Sequence, residues 1–241
     1  MPDMLGSRVD ATSYEAATDA IIAWAKAGQA RKVAACTVHM LIEAWDDPMF
    51  RQRLRTFDLV TPDGMPLVWR LRQLGNSVQN RVYGPDLMLY LCAAAEREDL
   101  PIGIFGGLPD ALQSTVAALG RRYPRLRIAY THSPPFKPVT VEDESSLEAI
   151  RSSGAKIMFV ALGCPKQEHW AFLNAPELGM PVIAVGAAID FIGGKVAQAP
   201  SWVQRCGLEW AFRMLAEPRR LVKRYAYINT KFIGLWLLGR L

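Results

Sequence analysis

The sequence predicts an α/β fold, in which a Rossmann-like sheet with flanking helices is followed by a C-terminal helical appendage. Short apolar runs alternate with helical patterns through the first 200 residues, which is typical of a parallel sheet covered by helices on both faces. The 241 residues are 51% hydrophobic and 21% charged, enough to bury a sizeable core. The composition turns basic and helical near residue 199. We therefore expect an α/β core at 1–199 and an appendage at 200–241.

The elements of the first half follow from caps, turns and apolar runs. Ser13 is a suitable N-cap for the first helix. The Pro62-Asp63-Gly64 sequence predicts a turn, and Pro85 fits the first turn of a later helix. The predicted elements are a helix from 13 to about 27, a strand at 32–38, a helix at 40–46, a strand at 59–60, and helices at 66–74 and 86–98.

The second half repeats the alternation of strand and helix. Gly106-Gly107 and the Gly163-Cys164-Pro165 sequence each predict a turn between a buried strand and a helix. The predicted elements are a strand at 102–105, a helix at 109–122, a strand at 128–130, a proline-rich loop at 133–141, a helix at 143–153, a strand at 157–162, a helix to 174 and a strand at 182–185.

The C-terminal segment has an uneven charge. Residues 201–241 carry eight Lys or Arg against two Glu, a surplus of six, while the whole chain has a net charge of +5. If residues 219–241 form one helix, an apolar face lies opposite a cationic face. The apolar side holds Leu221, Tyr225, Ile228, Phe232 and Trp236, and the cationic side holds Arg220, Arg224 and Lys231. Two interpretations remain open: a helix that lies in an anionic membrane surface, or an amphipathic helix that closes a core.

Composition argues against several classes of protein. The four cysteines are far apart and the histidines are not clustered, so we expect no zinc site, no cofactor and reduced thiols in a cytosolic protein. The basic charge is local, which argues against nucleic acid as a partner. The N-terminus has no apolar signal region, and no run approaches the roughly 20 apolar residues that span a bilayer. The C-terminal segment can therefore lie on a membrane but is not expected to cross it.

The turn at 61–66 places a lone carboxylate, Asp63, directly after an apolar strand. Ligands of doubly wound sheets bind at the carboxyl ends of the strands. A carboxylate in that place can act as a general base on a hydroxyl. The alternative is an Asp-Gly turn in which the carboxylate bonds its own backbone.

Other strand ends carry further candidates for ligand binding. The Gly106-Gly107 turn can seat a phosphate on backbone N–H groups or can serve tight packing alone, and it lacks the GxGxxG pattern of dinucleotide sites. The turn after strand 157–162 can hold a sugar or base, or can be a solvated first helical turn. Its candidate residues are Gly163, Pro165, Gln167 and Glu168, with Lys166 as a cation near phosphate and Cys164 as a disfavoured nucleophile.

Two acidic residues and an arginine are the remaining candidates for ligand binding. Arg81 stands just ahead of a helix N-terminus, where it suits an anionic ligand or an ion pair with Asp86. Asp190 lies in apolar sequence, so its carboxylate needs a partner.

Taken in order, these motifs resemble the WecG/TagA/CpsF family, glycosyltransferase family 26. The match is colinear and covers nearly the whole chain. It rests on Thr37, TPDGMPLVW (61–69), RVYGPDLM (81–88), FGGLPD (105–110), ALGCPKQEHW (161–170), VGAAIDFIGGKVAQAPSWVQRCGLEW (185–210) and RMLAEPRRLVKRY (213–225).

The resemblance implies an inverting transferase that moves a sugar from a UDP-sugar to a polyprenyl-diphosphate-linked saccharide at the cytoplasmic membrane face, in the synthesis of cell-surface polysaccharides. It implies that Asp63 is the catalytic base and Thr37 a neighbouring site residue. Arg81 and Gln167 match residues that contact donor or acceptor. The cations matched to the diphosphate are Arg213, Arg220, and Arg224 or Lys223. Many members have Asn where this chain has His39, so the resemblance leaves the donor sugar open.

The chemistry is coherent with these residues. Asp63 can deprotonate an acceptor hydroxyl, and arginines can stabilise the departing diphosphate without a metal. The chain has no DxD element, since Asp46 and Asp47 are adjacent. Two other functions stay open: a nucleotide-dependent oxidoreductase or nucleotide-binding regulator, and a non-enzymatic peripheral membrane scaffold. The sequence also leaves a homo-oligomer open.

Overall fold

The fold is built on one six-stranded parallel sheet. The structure, a computed structural model, describes residues 3–135, 138–139, 142 and 144–240, without the side chain of Arg220. The strand order in the sheet is β4-β3-β8-β7-β5-β6, and every neighbouring pair is parallel. A separate antiparallel hairpin precedes it. The strands are β1 (Asp3–Met4), β2 (Ser7–Arg8), β3 (Arg31–Cys36), β4 (Leu59–Pro62), β5 (Ile102–Gly106), β6 (Ile128–His132), β7 (Ile157–Ala161) and β8 (Pro181–Ala184).

Twelve helices are found in the described part of the chain. They are α1 (Tyr14–Lys26), α2 (Val38–Asp46), α3 (Pro48–Leu54), α4 (Met65–Gln73), α5 (Gly84–Arg97), α6 (Pro109–Arg122), α7 (Glu144–Ser152), α8 (Lys166–Leu178), α9 (Ala188–Ile192), α10 (Ser201–Arg205), α11 (Glu209–Ala216) and α12 (Pro218–Leu237).

The sheet separates two apolar cores. One core includes residues of α2, α3 and α8, among them Met40, Phe50 and Trp170. The other includes residues of α1, α5, α6 and α9. All residues of β4, β5, β7 and β8 are buried, as expected when helices cover a parallel sheet on both faces. The predicted α/β class with a Rossmann-like sheet is confirmed.

Helix N-caps explain which of the predicted element boundaries are correct and which differ from the structure. The Ser13 hydroxyl accepts a hydrogen bond from the Ala16 N–H at 3.1 Å, which confirms it as the N-cap of α1. The strand expected at 32–38 ends at Cys36, because Thr37 is the N-cap of α2. The short helix α3 was not predicted, although Asp47 caps it and Pro48 opens it. The predicted loop at 133–141 lies partly outside the described residues.

The C-terminal helix packs on the protein. Leu221, Ile228 and Phe232 of α12 are 1%, 3% and 5% exposed, and the last two belong to the core that contains α2. Lys231 forms an ion pair with Asp46 at the end of α2. The apolar face of the predicted helix therefore closes a core, which decides between the two interpretations for that face: it is not a membrane-facing surface.

Within the described residues, no helix combines the length and the apolar character needed to cross a membrane.

Candidate active site

The polar turns that follow the strands lie at one edge of the sheet, because the strands are parallel. Thr37 follows β3, Asp63 follows β4 and Gly186 follows β8, the strands that stand side by side in the order β4-β3-β8. The Asp63 N–H donates to the Cys36 carbonyl at 2.9 Å, so the β4 turn is tied to the end of β3. This edge holds the candidate site.

Asp63 is a buried carboxylate with well-defined partners. It is 6% exposed. Its Oδ1 accepts a hydrogen bond from Arg81 Nη2 at 2.9 Å, and its Oδ2 accepts one from the Gly84 N–H at 3.0 Å. Both partners lie about 20 residues along the chain. The carboxylate thus takes part in a tertiary site, and the alternative of a simple Asp-Gly turn does not describe it.

Gly84 lets the backbone approach this carboxylate. A Cβ atom at Gly84 would lie 2.9 Å from the Val185 carbonyl oxygen and 3.1 Å from the Ala35 Cβ, closer than side chains tolerate. Only a residue without a Cβ fits between the ends of β3 and β8. The N-terminus of α5 is therefore held against Asp63.

Arg81 is committed to two carboxylates. Its Nε donates to the backbone oxygen of Asp63, and its Nη1 donates to Glu209 Oε2 at 2.6 Å and to Gln204 Oε1 at 3.4 Å. Its guanidinium also lies 4.0 Å from the centre of the Tyr83 ring. The ion pair considered between Arg81 and Asp86 is replaced by pairs with Asp63 and Glu209. These bonds use most of the donor capacity of the guanidinium.

Burial decides the protonation of Asp63. Loss of hydration raises the pKa of its carboxyl to about 6, since the charged form is disfavoured away from water. Arg81 and the Gly84 N–H lower this pKa, while the negative charge of Glu209 raises it. For Arg81, burial acts to lower the pKa, but the two carboxylates outweigh it and raise the pKa above its ordinary value. A carboxylate whose pKa is near 6 is a stronger base than an ordinary one.

Glu209, at the start of α11, is a site residue that the sequence reasoning missed. The Tyr83 hydroxyl donates to its Oε1 at 3.0 Å. The network continues outward, because the Tyr83 N–H donates to the Tyr14 hydroxyl at 3.0 Å and that hydroxyl donates to Asp86 Oδ2 at 3.3 Å. The available signal was an acidic residue in a largely cationic segment, within a block that the family resemblance had already singled out.

The start of α2 brings Thr37 and His39 to the same edge. The Thr37 hydroxyl accepts from the Met40 N–H at 3.3 Å and caps the helix. His39 Nε2 lies 3.0 Å from Glu43 Oε1. Burial and the charge of Arg224 lower the pKa of His39, and Glu43 opposes them. The positive charge of Arg224 in α12 is therefore close enough to the first turn of α2 to disfavour protonation of His39.

Gln167 and Glu168 form a buried pair beneath the turn after β7. They are 2% and 1% exposed, so the interpretation as a solvated helical turn is wrong. Gln167 Oε1 accepts from the Gly186 N–H at 3.1 Å, and its Nε2 donates to Glu168 Oε1 at 2.7 Å. Burial raises the pKa of Glu168 to about 7. The pair links the turns that follow β7 and β8.

The turn itself contains Gly163 at φ +77° and a cis peptide between Cys164 and Pro165. Space around Gly163 is open, with no atom within 4 Å of a Cβ placed there. Burial and the nearby Glu168 raise the pKa of the Cys164 thiol well above its usual value, which makes it a poor nucleophile. Gly163 and Pro165 thus lie at the edge where ligands of such sheets bind.

The glycine turn after β5 serves tight packing. A Cβ at Gly106 would lie 2.4 Å from the Ala161 carbonyl oxygen, and the backbone there has φ +116°. The Gly107 N–H donates to the same oxygen at 3.0 Å. Since that N–H is already engaged, the packing interpretation accounts for Gly107 better than a phosphate seat does.

The remaining candidates lie around α9 and the C-terminal helices. Asp86 is half-buried beside Tyr14, and burial raises the pKa of its carboxyl. Asp190 lies in α9, and its carbonyl accepts from the Lys195 N–H at 2.9 Å. The Arg213 guanidinium lies 5.5 Å from the centre of the Phe191 ring. Arg224 and Lys223 are exposed on α12, and the side chain of Arg220 lies outside the described residues.

The fold and the site together define a class: an α/β protein with a parallel sheet and a buried carboxylate of raised pKa at the carboxyl edge, where ligands of such sheets bind. The chain belongs to the WecG/TagA/CpsF family of glycosyl transferases, whose model matches residues 2–241. The resemblance drawn from the motifs is confirmed. The protein is a glycosyltransferase in the synthesis of cell-surface polysaccharides.

Proposed function

We propose that the protein transfers a sugar, with inversion, from a UDP-sugar to a polyprenyl-diphosphate-linked saccharide, and that Asp63 is the base. The observation that carries this proposal is the buried Asp63 carboxylate, held by Arg81 and Gly84 at the edge of the sheet where ligands bind. Its pKa of about 6 keeps it ionised at neutral pH and still basic enough to accept a proton.

The proposed step is a single displacement. The acceptor hydroxyl oxygen attacks the anomeric carbon of the donor sugar, its proton moves to an Asp63 carboxylate oxygen, and the bond from the anomeric carbon to the diphosphate oxygen breaks. UDP leaves with the electron pair of that bond. One displacement inverts the configuration at the anomeric carbon, and the negative charge that develops on UDP needs cations in the same cleft.

We propose that arginines supply these cations and that no metal is required. Arg224 already influences His39 at the start of α2, and Arg213 lies over Phe191 of α9. The adjacent acids Asp46 and Asp47 have other roles: Asp46 pairs with Lys231, and Asp47 caps α3. Transfer is therefore expected to persist in excess chelator, and a strict requirement for added Mg²⁺ would contradict this part of the proposal.

We also propose that residues 200–241 act as an appendage that contacts the inner face of the cell membrane. The surface in question is a second stripe of α12, distinct from its buried face. Val222, Ile233 and Leu237 are exposed and fall within about 60° of one another at 100° per residue. The exposed cations Arg219 and Lys223 lie together along one side of this stripe, Arg219 in the same direction as Leu237 and Lys223 about 40° beyond it. Exposed apolar residues beside cations suit an anionic lipid surface.

A panel of UDP-sugars tests the proposed function directly. Each donor is mixed with a short polyprenyl-diphosphate-linked sugar, and the product is identified by mass and by the configuration of the new bond. We expect one donor to be strongly preferred and the anomeric configuration to be inverted. Transfer with retention, or transfer from none of the donors, would contradict the proposal. A melting temperature raised by NAD and not by UDP would point to a nucleotide-dependent oxidoreductase or regulator instead.

A further inference from the structure

We propose that Glu209, which belongs to the C-terminal helices, is a positioning residue that holds Arg81 against Asp63. This inference rests on the proposed function, because it assigns Glu209 to the transfer reaction through the base. Among the described residues Glu209 forms no hydrogen bond with Asp63, and it acts on that carboxylate through Arg81.

The geometry of the three side chains supports this role. Arg81 lies between the two carboxylates, with Nη2 2.9 Å from Asp63 Oδ1 and Nη1 2.6 Å from Glu209 Oε2. The Arg81, Asp63 and Glu209 side chains are 16%, 8% and 14% exposed. The second oxygen of Glu209 accepts from the Tyr83 hydroxyl, which fixes the carboxylate in turn. A guanidinium held on both sides in this way has little freedom to rotate away from the base.

The negative charge of Glu209 also affects the pKa of Asp63, which an uncharged hydrogen-bond partner of Arg81 would not do. Two carboxylates share one guanidinium, so the cation that stabilises the ionised form of Asp63 is partly offset. The charge of Glu209 raises the pKa of Asp63, in the same direction as burial and against Arg81 and the Gly84 N–H. The other titratable groups nearby include the Tyr83 and Tyr14 hydroxyls, Asp86 and the buried Cys36 thiol. Glu209 thus keeps Asp63 oriented and keeps it basic.

Packing of the segment over α4 brings Glu209 to the site. Gly207, two residues earlier, has φ +72°, and a Cβ there would lie 3.1 Å from the Trp69 ring and 3.2 Å from the Met65 Cβ. This close approach places the first turn of α11 beside Arg81. The base is therefore fully positioned only when the C-terminal helices are docked, and a carboxylate, in addition to the arginines, is what they contribute.

The experiment compares Glu209→Gln with Glu209→Asp, Tyr83→Phe and a control, Asp46→Asn, in the full-length protein. Asp46→Asn removes an acid that anchors α12 by Lys231 and Tyr227, away from Arg81. For Glu209→Gln we expect kcat to fall about 10- to 100-fold, the size of effect seen when a supporting group is lost, with the donor KM nearly unchanged. The acidic limb of the pH–rate profile should move to lower pH, because a charge that raises the pKa of Asp63 is gone. Glu209→Asp keeps the charge and should keep the limb near the wild-type pH, and Tyr83→Phe should lower kcat less than Glu209→Gln.

Two activity results would overturn the inference. One is a Glu209→Gln variant with wild-type kcat and an unmoved acidic limb. The other is a loss of kcat with an unmoved limb, matching Asp46→Asn, because Glu209 would then be only a structural tether.

A measurement without substrate separates this inference from the proposed function. The titration of the Asp63 carboxyl is followed by carbon NMR of protein labelled at Asp, with Asp63→Asn to assign the signal. We expect a lower pKa for Asp63 in Glu209→Gln than in the wild-type protein, even if no UDP-sugar is a donor. An unchanged pKa would overturn the inference while leaving the proposed function intact.

Discussion

At the scale of single residues, burial gives Asp63 its chemistry and also costs stability. The folded protein disfavours the charged carboxylate, so the pKa rises to about 6 from its ordinary value of 3.8. The same rise in pKa that makes this carboxylate more basic means that the folded state loses stability as the pH rises between these two values. Glu168, with a pKa of about 7, carries the same kind of cost. The site thus holds two carboxyls in places where a structural role alone would favour neutral groups.

The pH dependence of transfer is predicted from the protonation of Asp63, the proposed base. A general base works only when it is deprotonated, so kcat/KM is expected to rise tenfold per pH unit below about 6 and to level off above it. The measurement is initial rate against pH at low donor concentration. A profile that stays flat from pH 5 to pH 8 would mean that Asp63 is not the titrating base.

Glu168 allows a test of stability without any assay of transfer. Its pKa in the folded protein lies above the ordinary value of 4.5, so its contribution to stability is present at low pH and is lost as the pH rises through about 7. Glu168→Gln removes this loss, because a buried amide carries no charge. The melting temperature of Glu168→Gln relative to wild type should therefore increase from pH 5 to pH 9.

The matched control for this prediction is Glu177→Gln, on the exposed side of the same helix, α8. Its melting temperature relative to wild type is expected to change little over the same range. If the melting temperature of Glu168→Gln changes with pH in the same way as that of Glu177→Gln, the claim that burial raises the pKa of Glu168 would be contradicted.

At the scale of elements, α12 shows what an amphipathic pattern can and cannot predict. The spacing of Leu221, Ile228 and Phe232 correctly indicated one apolar face. The pattern could not say whether that face meets lipid or protein, because both environments select the same residues. The partner that decides it is α2, which lies about 180 residues earlier in the chain, as the Tyr227–Asp46 hydrogen bond shows. Only tertiary packing supplies that information.

The same substitution, isoleucine to alanine, can be made on the buried and on the exposed side of α12 to compare their contributions to stability. Ile228 is 3% exposed and Ile233 is 56% exposed. Ile228→Ala is expected to lower the free energy of unfolding by about 2–5 kcal/mol, since it leaves a cavity in the core. Ile233→Ala should change it by less than about 0.5 kcal/mol, as exposed substitutions usually do. Denaturant unfolding of both variants measures the difference.

Ile233→Ala carries a second readout that concerns the membrane. Its binding to vesicles that contain anionic lipid should be weaker than that of wild type, because an exposed apolar contact is lost. Equal vesicle binding in the two proteins would contradict the proposed role of the exposed stripe. A large loss of stability in Ile233→Ala would contradict the assignment of the two faces.

At the scale of the whole molecule, the parallel sheet was predictable and its long-range contacts were not. Alternating apolar runs and helical patterns gave the fold class, and parallel strands then place Thr37, Asp63 and Gln167 at one edge. Glu209 was missed because its partners, Arg81 and Tyr83, lie more than 120 residues away. The same contacts alter the expected effect of deleting residues 201–241. That deletion would also remove buried residues of α12 and expose their core, so single substitutions are the sharper test.

Transfer by Asp63→Asn tests the central claim most directly. The reaction of the preferred UDP-sugar with a polyprenyl-diphosphate-linked acceptor is measured for this variant and for wild type, with a melting curve and UDP binding for each. We expect transfer to fall at least about 100-fold, as for the loss of a general base, while UDP binding and the cooperative melting transition persist. Transfer within a few fold of wild type in a folded Asp63→Asn protein would contradict the claim that Asp63 is the catalytic base.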